Sequence, residues 1–515
     1  MELAQSQYCQ IGVYPQQIKK QIGQLVFDSS FDSGNLMNVE QVAEDHTKLF
    51  KNGMKPVYRA ESQSLWQRIK DPSIADSVVQ LETGIEITFN HEFNGEKTYF
   101  AFCHPYSYSK LQEDLDYYQT KYEDDKDIYF HRNTFTYSYE KRKIDLIVIS
   151  SHTQKCEERI SRIPLLFPEQ SEQTPFMFEK EKKCIFFSTR VHPGETPGQH
   201  NFNGALQFLL NKNDPVAQIA RENFVFYLVP MINPDGVYRG HYRVDALGQN
   251  LNRFYLKPQL QEQPQIYAIR ELISYLNDTQ RIHGYIDFHS QASRKGNFIY
   301  ANHTDFRNQI DICLFCRVLS LNTPYFEYDQ CNFTEKNMYS KDKSDNLSKE
   351  GSGRVALFKQ FKINLTFTVE SSYNQGNIEN KMYPRSNMLQ QTEQQQNDDI
   401  EIYDAQLIYN PLELQPYQIN EHFTIEQQNK LGEGVVETFL DMCEMNPFSR
   451  IKNSPYKSFI NAKLKMAFNL MKVPPFRFDL YIRKLMRYLK YSFESYNNIF
   501  LILDLLLETL IQARQ

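Results

Sequence analysis

The rhythm of apolar and polar positions changes near residue 150. Between about 22 and 150, short runs such as GIEITFNHEF and KTYFAFCHPY alternate apolar with polar residues, are rich in Phe, Tyr and Thr, and are broken by Asn, Gly and Pro. A period of two is the pattern of half-buried strands. It predicts an all-β, sandwich-like domain over 22–150, behind a short extension at 1–21. From about 151 to 445 the strand-length runs CIFFST, FVFYLVPMI, GYIDFH and NLTFTVE alternate with helical stretches. That alternation predicts an α/β domain, a sheet covered by helices. One helix follows Pro197, where Phe202, Ala205, Leu206, Leu209 and Leu210 recur at helical spacing until Asn213-Asp214-Pro215 breaks the pattern.

Two segments fall outside these rhythms. Residues 387–420 carry the polar run QQTEQQQNDDIE, which is too poor in apolar surface to order itself and reads as a surface insertion. The last stretch, 446–515, is basic and apolar by turns and predicts a packed or partner-binding helical segment. Its most apolar run is interrupted by Asp504 and Glu508 and is shorter than a bilayer crossing needs. No internal repeat is visible.

With 515 residues, 41% of them hydrophobic, the chain can build at least two domains with real cores. Its formal net charge of -6 gives no general attraction to nucleic acid or to an anionic membrane, so an acidic substrate would need a local basic pocket. The start, MELAQSQYCQIGVYPQQIKK, has neither a secretory nor a mitochondrial pattern, which points to the cytosol. The 8 cysteines are scattered, several in apolar runs, as buried free thiols are. Cys313 and Cys316 form a C-x-x-C in a helical run without a second pair, so they are expected in the core.

Chemistry concentrates where apolar runs end. His192 and Glu195 sit three residues apart between a strand candidate and a helix, and His289 ends the run GYIDFH. Hydrolytic zinc sites take three protein ligands from His and Glu and leave one position for water. Glu370 follows a run of β-branched and aromatic residues, where a carboxylate is costly to bury without purpose. In open α/β sheets such groups gather at the carboxyl ends of strands. Between them the loop MINPDGVYRGHYRVDALGQNLNRFYLKP supplies Arg243, Asn252 and Arg253, and arginine forks suit the free carboxylate of a chain terminus.

The stretches FDSSFDSGNLMNVE, RVHPGETPG, NPDGVYRGHYRVDALGQNLNRFYLKP, NFTEKNMYSKDKSDNLSKEGSGRVALFK and EMNPFSRI resemble the cytosolic carboxypeptidases of the M14 metallopeptidase family. GHYR and NLNR favour the type-5 branch. The resemblance implies a zinc carboxypeptidase-like mixed sheet with flanking helices, preceded by the β domain. It implies one Zn²⁺ held by His192, Glu195 and His289, with Glu370 as general base and acid and Arg243 facing the oxyanion. Two His and one Glu is also the ligand set of carboxypeptidase A. Asn252 and Arg253 match the pair that holds the substrate's terminal carboxylate. Lys343, Lys349 and Arg354 fall where the family places cations for the last side chain, a glutamate.

Several positions depart from relatives. Ser290 and Gln291 replace Gly-His beside the third ligand, Asn250 stands where many carboxypeptidases have an Asp, and Ser344 replaces an arginine. The activity implied is removal of glutamate from C-terminal or branched polyglutamate chains of acidic proteins such as tubulin. No nucleic-acid partner or membrane span is expected, and the location is cytoplasmic, near microtubules or in the nucleus. Two rival readings are a non-catalytic tubulin-binding relative and a hydrolase of small N-acyl amino acids. The retained ligands with Glu370 weigh against the first, and the long N-terminal β region against the second. The residues do not choose between linear, branch-point and gene-encoded glutamates, or fix an oligomeric state.

Overall fold

The computed structural model describes residues 53–386 and 416–471, apart from 82, 83, 87, 88, 90, 93, 94, 281, 293, 343, 344, 420 and 421. The expected extension at 1–21, the polar insertion except 416–419, and the end of the chain from 472 lie outside the described residues.

Seven strands build the central sheet: β1 (Tyr129–Tyr137), β2 (Lys143–Ser150), β3 (Lys183–Thr189), β4 (Phe224–Val229), β5 (Ile282–Gln291), β6 (Phe298–Tyr300) and β7 (Leu365–Ser372). Their order across the sheet is β6-β7-β5-β3-β4-β2-β1. The inner strands β4, β3, β5 and β7 are parallel, while β6, β2 and β1 run antiparallel to their neighbours. The parallel strands read as unbroken apolar runs because both faces are covered. Ile185, Phe187, Phe226, Leu228, Ile286 and Phe288 enter one core, and Cys184, Phe186, Val225, Tyr227 and Tyr285 enter the other.

Helices α1 (Tyr108–Tyr122), α2 (Thr196–Leu209) and α3 (Pro215–Asn223) contribute to the first core. Helix α4 (Pro264–Thr279) lies on the second face. Helix α5 (Phe306–Asn322) returns to the first, and α6 (Gly353–Phe361) covers the second. Helix α7 (Ile425–Met442) packs outside α2. Helix α8 (Phe459–Met471) sets Ala462, Met466 and Ala467 against Ile310, Leu314 and Val318 of α5. Of the segment 446–515, the described part ends in this helix, packed on α5. Cys313 and Cys316 are buried on α5, and the seven cysteines among the described residues are all free thiols.

The helix expected after Pro197 is α2, with Leu210 as its C-cap. The boundary expected at 150 is corrected. Strands β1 and β2 complete the mixed sheet, and α1 packs against it through Leu111 and Leu115. An antiparallel edge pair alternates polar and apolar residues just as a sandwich strand does, so the sequence pattern there is the same for both. Among the described residues before Tyr129, the β structure is a three-stranded sheet of Val57–Ala60, Gln67–Arg68 and Thr98–Ala101, and an antiparallel pair of Val79–Leu81 with Gly84–Glu86. Among the described residues no helix is long and apolar enough to cross a membrane.

Candidate metal centre and substrate pocket

Parallel pairing brings the carboxyl ends of β3, β5 and β7 to one edge. His192 lies in the turn after β3, Glu195 is the N-cap of α2, His289 is near the end of β5, and Glu370 sits opposite His289 in β7. The turn holds Arg190 at φ 59°, a costly backbone that persists only when its surroundings enforce it. Here the Arg190 guanidinium donates to the carbonyls of Pro193 and Tyr106. Gly198 lets α2 approach β5, since a Cβ there would lie 2.8 Å from the Phe288 carbonyl oxygen.

His192, Glu195 and His289 are buried, with one possible ligand atom from each within 4.8 Å of the others. Glu195 Oε1 is 2.8 Å from His192 Nδ1, and Oε2 is 3.0 Å from His289 Nδ1. The far nitrogen of each ring is occupied: His192 Nε2 lies 3.0 Å from Asn250 Oδ1, and His289 Nε2 lies 2.7 Å from Asp287 Oδ2. With those acceptors facing Nε2, the tautomer that carries its proton there leaves Nδ1 for a metal, the usual outer arrangement at histidine ligands. Burial and Arg243 lower His192 to about 4, so it is neutral at pH 7. Burial would raise Glu195, but His192 and His289 hold it well below the usual carboxylate range. Two neutralisable imidazoles and one carboxylate, three donors in all, fit zinc with a position left open.

The Glu370 carboxyl makes no hydrogen bond among the described residues, and the residue is half-buried. Burial raises its carboxyl to about 7; Glu195 adds to the rise, while His289, Arg243 and Lys349 oppose it. A carboxyl tuned this way exchanges protons near neutrality.

Arg243 Nη1 is 3.7 Å from Glu195 Oε1, and its Nη2 is 3.0 Å from Asp342 Oδ2. Arg253 donates to the Asn252 carbonyl at 2.6 Å and is ion-paired with Asp342. Asn252 accepts from the Gly353 N–H at 2.9 Å and places its amide 3.5 Å from His289 Nε2. Arg243 and Asn252 thus approach the candidate donors Glu195 and His289, and Asp342 links Arg243 to Arg253.

Gly351 packs against the Arg253 backbone so closely that a Cβ would lie 2.0 Å from its carbonyl oxygen. Lys349 and Arg354 flank this glycine, and both Arg253 and Arg354 are near enough to act on the Lys349 ammonium. The Lys349 ammonium makes no hydrogen bond or ion pair among the described residues. Burial lowers it, with Arg253 and Arg354 pushing the same way and Asp342 and Glu370 opposing. Arg354 is buried, and its guanidinium donates to the Ala301 carbonyl at 2.6 Å, Asn302 Oδ1 at 2.7 Å and Asn337 Oδ1 at 2.8 Å. All three acceptors are uncharged, and no carboxylate pairs with it among the described residues. Burial lowers it to about 10, against the pull of Tyr300 and Glu370. Lys343, with Ser344, lies outside the described residues.

Sequence reasoning misses Asp342, Asp345 and Tyr300. The run KDKSDN reads as a solvated loop, and only its return beside Arg253 reveals its acids as partners. Tyr300, opposite Thr368 in the sheet, sits 6.0 Å beneath the Lys349 ammonium, measured to the ring centroid.

The sequence profile of zinc carboxypeptidases matches residues 115–399. Among curated proteins the chain is similar to the cytosolic carboxypeptidase-like protein 5 of Bos taurus, 32% identical across 84% of this chain and 57% of the relative. The human cytosolic carboxypeptidase 6 is 27% identical across 89% of this chain and 86% of its own. The chain thus spans little more than half the length of the type-5 relatives it matches. Its fold is similar to a metallo-carboxypeptidase from Burkholderia cenocepacia, with a TM-score of 0.52 and 17% identity over 78% of this chain and 84% of that one. A Pseudomonas aeruginosa metallo-carboxypeptidase gives a TM-score of 0.51 at 17% identity, over 79% of this chain and 84% of that one. By its sequence, supported by its sheet and the converging His-Glu-His donors, this chain belongs to the zinc carboxypeptidase family.

Proposed function

We propose that this chain is a metallocarboxypeptidase that removes glutamate from the C-terminal ends or branched side chains of acidic proteins, with polyglutamylated tubulin as the leading substrate. The cytoplasm is the proposed location, in keeping with relatives named cytosolic. The observation that carries the glutamate reading is the pair Lys349 and Arg354, two cations without carboxylate partners among the described residues, close to Glu370. A glutamate side chain supplies the missing charge. An apolar last residue leaves it missing, a difference of about 1.5–3 kcal/mol for a hydrogen bond to a charged group.

His192, Glu195 and His289 would hold the zinc, which would supply Lewis-acid polarisation of the scissile carbonyl and acidify water. Glu370 accepts the proton of the attacking water and returns it to the leaving amine. Arg243 faces the oxygen that becomes negative, a contribution of about 3 kcal/mol for such donors. Arg253 and Asn252 receive the terminal carboxylate, a group that an internal peptide does not supply. A glutamate-ending peptide compared with its C-terminally amidated twin tests this directly. Release of the last residue from the free acid alone supports the exopeptidase reading, and equal cleavage of both overturns it.

A further inference from the structure

Asn250 stands between His192 and Asp345. Its Oδ1 lies 3.0 Å from His192 Nε2 and accepts from the Asn252 backbone N–H at 3.2 Å, while its Nδ2 donates to Asp345 Oδ2 at 2.8 Å. An amide has one accepting and one donating end, unlike a carboxylate, so its orientation decides what it offers a histidine. Turned over, it would set Nδ2 against the Asn252 N–H and leave its oxygen facing the Asp345 carboxylate. Asp345 therefore selects the orientation that presents oxygen to His192.

Asp345 is itself held in place. Its Oδ1 accepts from the Leu347 N–H at 2.8 Å, a local turn of the kind short acidic side chains make. The Asp342 N–H donates to the Leu347 carbonyl at 2.9 Å, closing the loop. Asp345 Oδ2 also lies 3.6 Å from Arg253 Nε, a buried nitrogen with no hydrogen bond among the described residues. One carboxylate thus faces both the support of a metal-facing histidine and the arginine proposed for the substrate terminus.

We propose that Asp345 is a positioning residue shared by the two halves of the site: it orients Asn250 toward His192 and holds Arg253 for the terminal carboxylate. This rests on His192 being a zinc ligand. Without Asp345 the Asn250 amide loses the partner that fixes it, His192 loses its acceptor for part of the time, and zinc binding weakens. Arg253 loses a charge beside Nε, and carboxylate binding weakens separately.

The test measures the zinc dissociation constant of the full chain by chelator competition, and KM for a glutamate-ending peptide. Asp345→Ala should raise the zinc dissociation constant about tenfold, within the range usual for such supporting partners. Asp345→Asn offers a single oxygen, which can still serve Asn250 at the expense of the Leu347 N–H, and it loses the charge facing Arg253. It should hold zinc within about threefold of the parent while KM rises. An Asn250→Asp background supplies the decisive comparison. There a carboxylate accepts from His192 with either oxygen, and Asp345 becomes a repelling neighbour, so adding Asp345→Ala should tighten zinc instead of weakening it. Equal zinc affinity with and without Asp345, or the same weakening in both backgrounds, overturns the positioning role. Should Asp345→Ala not fold, an unchanged KM in Asp345→Asn overturns it. Retention of zinc by His192→Ala would instead remove the metal-site reading itself.

Discussion

The carboxylate of Asp342 is ion-paired with the guanidinium of Arg253, the side chain proposed for the substrate's terminal carboxylate. A substrate must share or replace that partner. Arg253 is also held by the Asn252 carbonyl, so its position does not depend on Asp342 alone. Asp342→Asn should therefore lower KM for glutamate-ending peptides by about threefold or more while kcat stays near the parent value, as expected when a competing ground-state interaction is removed. A raised KM would show that Asp342 orients the arginines for substrate.

His192, Glu195 and His289 converge within 4.8 Å, so the purified chain should carry about one zinc. His192→Ala and His289→Ala should each lose most of it. Metal analysis that finds equal zinc in the parent and both variants contradicts the ligand set.

Glu370, raised by burial to about 7 from an ordinary 4.5, should govern the acidic limb of kcat/KM. As a base it works when ionised, so the rate should rise with pH. Bound zinc adds positive charge nearby, which places the midpoint between 4.5 and about 7. Glu370→Gln should retain zinc and lose nearly all turnover, because an amide cannot accept the proton. Turnover within about threefold of the parent would move the base elsewhere.

The same carboxyl bears on stability. A folded pKa above the unfolded one means that the folded state binds the extra proton, so stability falls as pH rises from 4.5 toward about 7 and the penalty is complete above that range. In metal-free protein Glu370→Gln should raise the melting temperature above pH 7 and leave it nearly unchanged below pH 4.5. An equal shift at both ends of the pH scale contradicts this linkage.

Lys349 is the cleaner probe of selectivity, since its ammonium has no hydrogen bond to lose among the described residues. Lys349→Met should reduce activity on glutamate-ending peptides by about tenfold and leave activity on apolar ends almost unchanged. Arg354→Ala strands the acceptors on Ala301, Asn302 and Asn337 and should lower thermal stability as well as glutamate activity. If Lys349→Met lowers both activities equally, the ammonium serves the general site and not the last side chain.

Strand ends are legible in the sequence because buried parallel strands leave continuous apolar runs, and His289 and Glu370 close two of them. Helix α2 is legible from Phe202 to Leu209 because its apolar residues repeat at helical spacing, although the fold buries nearly every residue of the helix. The membership of β1 and β2 is not, since pairing with β4 joins residues about 80 apart and leaves no local mark. Asp342 and Asp345 are equally silent. Their partners Arg243, Asn250 and Arg253 lie some ninety positions earlier, and exposed acids look alike until the chain folds back. Arg354 is legible as a candidate pocket cation by resemblance, but its burial among neutral acceptors is not.

The most direct measurement is free glutamate released by the full chain from a peptide ending in a run of glutamates, with zinc present, after chelation, and after zinc is restored. Release that disappears with chelation, returns with zinc and is absent in Glu370→Gln is the predicted result. A chain that holds zinc at His192, Glu195 and His289 yet releases no glutamate from linear or branched peptides would contradict the account.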